Sequence, residues 1–548
     1  MITKKTAALS VAMSMFALAG WAQNVATVDG VGGVPTSDPI YTLSYPNVGS
    51  AMTDVRTSET AAGTVIDITA ATLNEPAGVK LNTTYNLTVQ SSVSGGTVWK
   101  ITPSGIGISA AACALVVEQK VNTVKLSNLI ITPNDGAAGE VNARAIQHYF
   151  YSATPNPGDT GNFVVENCYF TAIRPTGHAQ AGQPILDPFT PAESTIATRR
   201  ANLRAFSGGG GSNMVELRFV GSAESNSFMN YTFKNTIFTH SIIASGTASK
   251  GGGIAVSRTR NLVLKIDEGC VFSYNDGSGV RGVSTLQSNT TTFTVTGKHS
   301  NPVFFAYNGW MEDTANTARN EGIQNDGSDI TVNYAYFIGN FQEGLDKIGI
   351  GEVTVTNSIF AENQKDLDPG NGTAPNVAGA YNIKLTGSGN YTLQNCTFFD
   401  GQAGGTNQGA INWTGATAGK TLRLKNVICA GAGDKVVIGG TAATTYIEDN
   451  CAMVQSGPQA LASITIGSGV AATITDRVTA DPLFVSTTFS PVWQGLGVRP
   501  QASNELTNYL NVNTSSYKAS RGGTNPIDVY GGNEEAFFPV TVSTLFFE

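Results

Sequence analysis

The sequence predicts an all-β parallel β-helix, a solenoid with an N-terminal cap and a C-terminal capping segment, on three observations. An eleven-residue unit recurs ten times, its eighth position is always apolar, and its starts are separated by 23 to 68 residues. The units begin at residues 124, 163, 231, 265, 298, 330, 353, 391, 422 and 446. Irregular spacing above a fixed minimum is what a coil of constant size with inserted loops produces, because each coil buries its apolar face only against its neighbours.

Within the unit the eighth position holds Ile131, Phe170, Phe238, Phe272, Phe305, Phe337, Phe360, Phe398, Cys429 and Met453. The sixth position falls on the same side of a strand and is small or sulfur-bearing in most copies, so positions six and eight are expected to face one core. Asn fills the fifth position at Asn128, Asn167, Asn235, Asn357, Asn395, Asn426 and Asn450, where a stacked amide ladder is expected. A second column at Asn134, Asn275, Asn308, Asn340 and Asn363 is assigned to left-handed corners, which Asn tolerates. Five of the six cysteines sit at positions six or eight and are read as free buried thiols, not bridges.

Boundaries follow from composition. Residues 1–22 run from Lys4 and Lys5 through an apolar stretch to Gly20-Trp21-Ala22, the order of a secretory signal peptide, with cleavage expected after Ala22. The apolar run falls short of the ~20 residues a bilayer needs, so no transmembrane segment is expected. Residues 23–62 form an N-terminal segment and cap, 63–485 the β-helix, and 486–548 a C-terminal capping segment with 540–547 as a covering strand. The longest insertion, 174–230, contains Arg199, Arg200 and Arg204, arginines of a solvated loop or of a grip on an anionic glycan. The formal charge is −8, and −10 without the two lysines of the leader, which argues against a nucleic-acid partner.

These features resemble the right-handed parallel β-helix proteins of the pectin-lyase-like superfamily. Residues 45–75 look like the opening of such domains, with a short amphipathic helix around Val48, Met52 and Val55 and a corner in which Glu75 remains while Ala71 and Leu73 replace the usual Gly and Tyr. Asp481-Pro482-Leu483-Phe484 and residues 525–531 are similar to closing segments of the superfamily. The resemblance implies a right-handed coil and an extracellular protein with polysaccharide as a partner. It does not extend to the catalytic segments of pectate lyases or polygalacturonases, none of which is present. The unit itself looks more like the repeats of bacterial surface β-helix proteins and adhesins.

The sequence reading is therefore a secreted or cell-surface, non-catalytic structural or adhesive β-helix, associating with itself or with surface components. The alternative is a polysaccharide lyase or hydrolase, or a glycan binder without turnover. No catalytic residue is assigned. Tyr307, Trp310, Glu312 and Asp313 offer an aromatic platform with acids, the kit for stacking on a sugar ring. Glu343, Asp366, Asp368 and Asn371, with Asp346 and Lys347 nearby, offer oxygen ligands loosely spaced for calcium, the one cofactor considered. His148, His178, His240 and His299 share no ligand spacing.

Overall fold

The computed structural model describes residues 24–28, 44–55, 64–83, 86–120, 122–151, 160–193, 195–208, 213–220, 228–242, 251–257, 262–282, 292–298, 301–309, 320–364, 381–400, 409–431, 434–440, 443–482, 484, 486–489 and 510. The chain winds through three parallel faces, and every pairing between named strands is parallel to the coil above or below. Positions one to four of the unit supply the first face, except in the copy at Lys298 where the preceding Thr292–Thr296 does, and positions six to nine supply the second. In two coils one strand runs through both, Val353–Ala361 and Tyr391–Asp400. The third face has twelve strands, from Val79–Thr83 to Ser463–Ile466, drawn from the stretches between units. This is an all-β solenoid, a parallel β-helix.

The expected register holds through the whole repeat. Ile131 pairs with Phe170, Phe170 with Phe238, and so on in steps of one coil to Cys429 with Met453. Alternation explains why: Thr160–Glu166 buries every second residue, so Phe163 and Val165 enter the core while Val164 and Glu166 stay outside. Seven phenylalanine rings stack along the axis from Phe170 to Phe398, with centroids 4.4–4.9 Å apart and planes within 15° of parallel. The spacing is that of the strands themselves, so each ring lies directly over the next. All six cysteines are buried and free, as the repeat implied.

The two asparagine columns exchange the roles expected of them. All seven fifth-position asparagines have φ between 45° and 58°, so they are the left-handed corners between the first and second faces. Among the described residues a side-chain ladder runs there from Asn357 through Asn395 to Asn426, at 3.0 and 2.9 Å. The second column does not take positive φ. The residue before every member but Asn134 does, at Tyr274, Tyr307, Gly339 and Glu362, and this frees the asparagine to point inward. Asn275, Asn308, Asn340, Asn363 and Asn382 then form a continuous buried ladder at 2.7–3.0 Å. Asn275, Asn308, Asn340 and Asn363 also donate to carbonyls of the phenylalanine column, Asn340 to Phe305 at 2.9 Å and Asn363 to Phe337 at 2.9 Å. Asn134 stands apart and bonds Thr102. Periodicity marked both columns, but it carries no information on which residue bears the strained dihedral.

The N-terminal end is closed. The expected helix spans Val48–Val55, is capped by Asn47 Oδ1 accepting from Ser50 N–H at 2.8 Å, and packs Val48, Ala51 and Met52 on the first coils. Glu75 locks it there: its carboxylate accepts Val48 N–H at 2.6 Å and Trp99 Nε1–H at 3.2 Å. Burial, opposed by those bonds, raises its pKa to about 7. Strand Asn24–Val28 adds a further rung beside Thr64–Ile68.

Candidate functional site

A short second repeat, unnoticed beside the longer one, builds the third face. Ser278-Gly279-Val280-Arg281, Glu321-Gly322-Ile323-Gln324 and Glu343-Gly344-Leu345-Asp346 lie on successive coils. The glycines are dictated by the phenylalanine stack. A Cβ on Gly322 would stand 2.9 Å from the Phe337 ring and 2.5 Å from the Gly344 carbonyl, and one on Gly344 2.8 Å from the Phe360 ring. The hydrophobic residue after each glycine points inward and the next points out, placing Arg281, Gln324, Asp346, Lys384 and Asn412 in one row.

Here Glu321, Glu343 and Asp346 converge, with carboxylate oxygens all within 4.8 Å of one another. They are 3%, 3% and 4% exposed, which makes their charges costly. Ser278 Oγ donates to Glu321 at 2.7 Å, and Lys384 Nζ stands 3.2 Å from Glu343 and 3.7 Å from Asp346. Asp346 Oδ1 is buried without a hydrogen-bond partner. Burial, with the neighbouring negative charges, pushes the Glu343 and Asp346 carboxyls well above the usual range. Burial alone would lower Lys384, but Glu343 and Asp346 outweigh it and raise its pKa. Three carboxyls beside one ammonium can hold a proton or a small hard cation, and a carboxyl that keeps its proton near neutrality can act as an acid.

Of the residues singled out from sequence, Glu343 lies in this cluster, while Asp366, Asp368 and Asn371 fall outside the described residues, as do Trp310, Glu312 and Asp313. Tyr307 is a packing residue: it stacks on Tyr274 at 5.0 Å and touches Phe489 at 6.3 Å. Lys347 points away, under a turn of the neighbouring coil. Its Nζ donates to Asn325 Oδ1 at 2.9 Å and to the Ser328, Ile348 and Ile350 carbonyls, and burial lowers its pKa to about 8.

Arg199 is a correction to the solvated-loop reading. It is 1% exposed, on the helix Ile196–Asn202, and clamps the insertion to the rod by donating to the Ser241 and Tyr274 carbonyls. Arg204 does the same for the neighbouring corner, donating to Asn134 and Ala137 carbonyls at 2.7 and 2.6 Å. His148 is buried between Gln119 and Tyr231, each at 2.9 Å, and burial lowers it to about 3, so it is neutral.

Glu321 escaped the sequence reading. Its signal was the Glu-Gly-apolar-polar tetrad repeated 22 residues later, one residue short of the 23-residue step of the longer unit. A second acidic pair also escaped it: Asp434, 1% exposed with neither oxygen hydrogen-bonded, is pushed far up by burial and by the charge of Asp400.

The outer side of the second face is apolar and already occupied. Phe189 of the insertion, Phe484 just before the C-terminal segment, and Phe489 and Leu510 within it lie along this side, Phe489 against Phe304 and Phe484 against Phe399. The residues of 486–548 that are described therefore lie on the flank of the rod.

No family model matches this chain, and no curated protein matches it. Among solved structures it is similar to the crystal structure of Dettilon tailspike protein (gp208), at 9% identity and a TM-score of 0.34 over 82% of this chain and 68% of that one. It is also similar to the crystal structure of pectate lyase Pel9A, at 11% identity and a TM-score of 0.32 over 90% of each chain. These are likenesses of fold. The class is defined by the chain's own topology, a parallel β-helix. Among the described residues no helix is long and apolar enough to cross a membrane.

Proposed function

We propose that this chain is a secreted, non-catalytic β-helix of the cell surface or extracellular matrix whose first face adheres to extended polysaccharide. The observation that supports this reading is the outer side of that face. Thr294, Thr331, Thr354 and Thr392 stand in register on four successive coils, flanked by Thr296, Asn333, Thr356 and Gln394. None of these eight is buried. Coils are spaced ~4.8 Å and outward residues ~6.7 Å along each strand, a flat grid of hydroxyls and amides suited to sugar hydroxyls. Two of the cations on this face are paired, Lys125 with Glu166 at 2.8 Å and Lys234 with Glu268 at 3.3 Å, while Lys265 and Arg423 stand beside Thr294 and Thr392 at the two ends of the row.

Sedimentation of the purified mature protein with insoluble neutral polysaccharides tests it. Retention without release of reducing ends is expected, weakened at least roughly tenfold in Thr331→Glu/Thr354→Glu. Failure to bind any of the panel, or binding indifferent to that double variant, would overturn the reading.

A second reading, glycoside hydrolysis, rests on the converging carboxyls of Glu321, Glu343 and Asp346, whose oxygens all lie within 4.8 Å of one another, since such hydrolysis uses a pair of neighbouring carboxyls. The all-oxygen donors are also of the kind calcium takes. Turnover of any polysaccharide, with or without added calcium, that is lost in both Glu343→Gln and Asp346→Asn would replace the first reading with this one.

A further inference from the structure

Asn325 and Lys347 interrupt the apolar lining of the third face. They are direct partners on neighbouring coils, in a column of inward side chains that holds Val256 before them and Leu385 and Trp413 after them. Lys347 is 0% exposed and Asn325 2%. Among the described residues the Lys347 ammonium forms no ion pair, and its four acceptors are neutral, Asn325 Oδ1 at 2.9 Å and the carbonyls of Ser328, Ile348 and Ile350. A buried charge met only by neutral oxygens is costly. Burial lowers the lysine to about 8, which leaves about a tenth of it as free amine, a nucleophile, near pH 7.

The carboxamide that this amine touches is polarised for attack. Asn325 Oδ1 accepts the Gly327 and Ser328 backbone N–H groups at 3.2 and 3.1 Å as well as Nζ, so its donors identify it as the oxygen, and the two backbone groups are placed to hold negative charge on it. Asn325 Nδ2 donates to Ser328 Oγ at 3.0 Å, which puts a hydroxyl on the nitrogen that would leave. The two turns are pressed together. A Cβ on Gly349 would stand 2.3 Å from the Asp326 carbonyl, and one on Gly351 2.7 Å from that of Ser328, so amine and carboxamide are held at contact by the packing of their coils. We infer that Lys347 and Asn325 join in an amide, a covalent rung between two coils of the rod. Nζ bonds to Asn325 Cγ, the oxyanion forms against the Gly327 and Ser328 N–H groups, and the Cγ–Nδ2 bond then breaks. Overall an ammonium and a primary amide give a secondary amide and an ammonium ion, so one proton passes from Nζ to the departing Nδ2, with Ser328 Oγ as its relay. No oxidant or co-reactant is needed. The product exchanges a buried charge for a neutral amide whose remaining N–H still has the Ser328, Ile348 and Ile350 carbonyls within reach.

Mass spectrometry of the purified chain, measured after denaturation, tests the inference. A mass lower than that of the sequence by one ammonia is expected for most molecules, with a digest that yields one branched peptide holding both Asn325 and Lys347. Lys347 is expected to resist trypsin and amine acylation even in denaturant, and Lys347→Arg is expected to regain the lost ammonia. An ammonia lost elsewhere, as from a Gln23 left at the start of a processed chain, would persist in Lys347→Arg and give no branched peptide. That result would overturn the inference. So would a digest of the natural chain in which Asn325 and Lys347 fall on separate linear peptides.

Discussion

Asn340 Nδ2 donates to Asn363 Oδ1 at 2.7 Å across 23 residues of chain, and the same Nδ2 donates to the Phe305 carbonyl at 2.9 Å. One amide thereby ties three coils together, because its own oxygen accepts from Asn308 N–H and Nδ2 at 3.1 and 2.9 Å. Asn340→Ala strands several of these partners in a site closed to water, at ~1–3 kcal/mol for each group left unsatisfied. A loss of at least ~3 kcal/mol is expected in denaturant unfolding. Asn128→Ala, at a half-exposed corner, should lose less than Asn340→Ala, since its side chain bonds only the Ser91 and Val93 carbonyls.

The phenylalanine column makes a paired prediction. Phe337 lies 4.9 Å from Phe305 and 4.4 Å from Phe360, fully buried, so Phe337→Ala should cost ~3–5 kcal/mol through the cavity it leaves. Gly322→Ala should also destabilise, by overpacking, since its new Cβ meets the Gly344 carbonyl at 2.5 Å. Combining Gly322→Ala with Phe337→Leu should relieve the ring contact but not the carbonyl contact, giving partial rescue in thermal unfolding.

How far the sequence reached can be judged from these same residues. Position eight of the unit carries one bulky side chain per coil, so the stack from Phe170 to Phe398 was readable as a column without coordinates. The third face was not, because its strands are as short as Val280–Gly282 and Leu345–Lys347 and share a glycine rather than a hydrophobic signature. That glycine has meaning only once the ring it must clear is known. Glu321 was obscured for the same reason, and Arg199 looked solvated because nothing local reveals that a loop folds back onto Ser241 and Tyr274.

Glu75 gives the N-terminal cap a pH dependence. Its pKa is raised from 4.5 in the unfolded chain to about 7 in the fold. The folded state thus holds the proton more tightly, so its stabilising contribution is full below pH ~4.5 and fades as pH rises to ~7 and beyond. The difference integrates to ~3 kcal/mol. Hydrogen exchange of Val48–Val55 should accelerate between pH 5 and 8, after correction for intrinsic rates, and the trend should flatten in Glu75→Gln. A cap equally protected at pH 5 and 8 would show that Glu75 keeps an ordinary pKa.

Glu448 occupies the inward column in which the two preceding coils carry Leu393 and Leu424, and it is fully buried. Arg477 meets it with two bonds, Nε to Oε1 at 2.7 Å and Nη2 to Oε2 at 2.5 Å, while Tyr446 Oη donates to Oε2 at 2.6 Å. A buried pair of this kind contributes little net stability but is costly to break from one side. Arg477→Ala leaves the carboxylate with Tyr446 alone among these partners and should cost ~3–5 kcal/mol in denaturant unfolding. Replacing both, Glu448→Leu with Arg477→Met, continues the leucine column and should lie within ~1 kcal/mol of the natural chain despite losing the Tyr446 bond. A double variant as unstable as Arg477→Ala would mean that the ion pair holds the last coil in place, rather than merely neutralising a charge buried there.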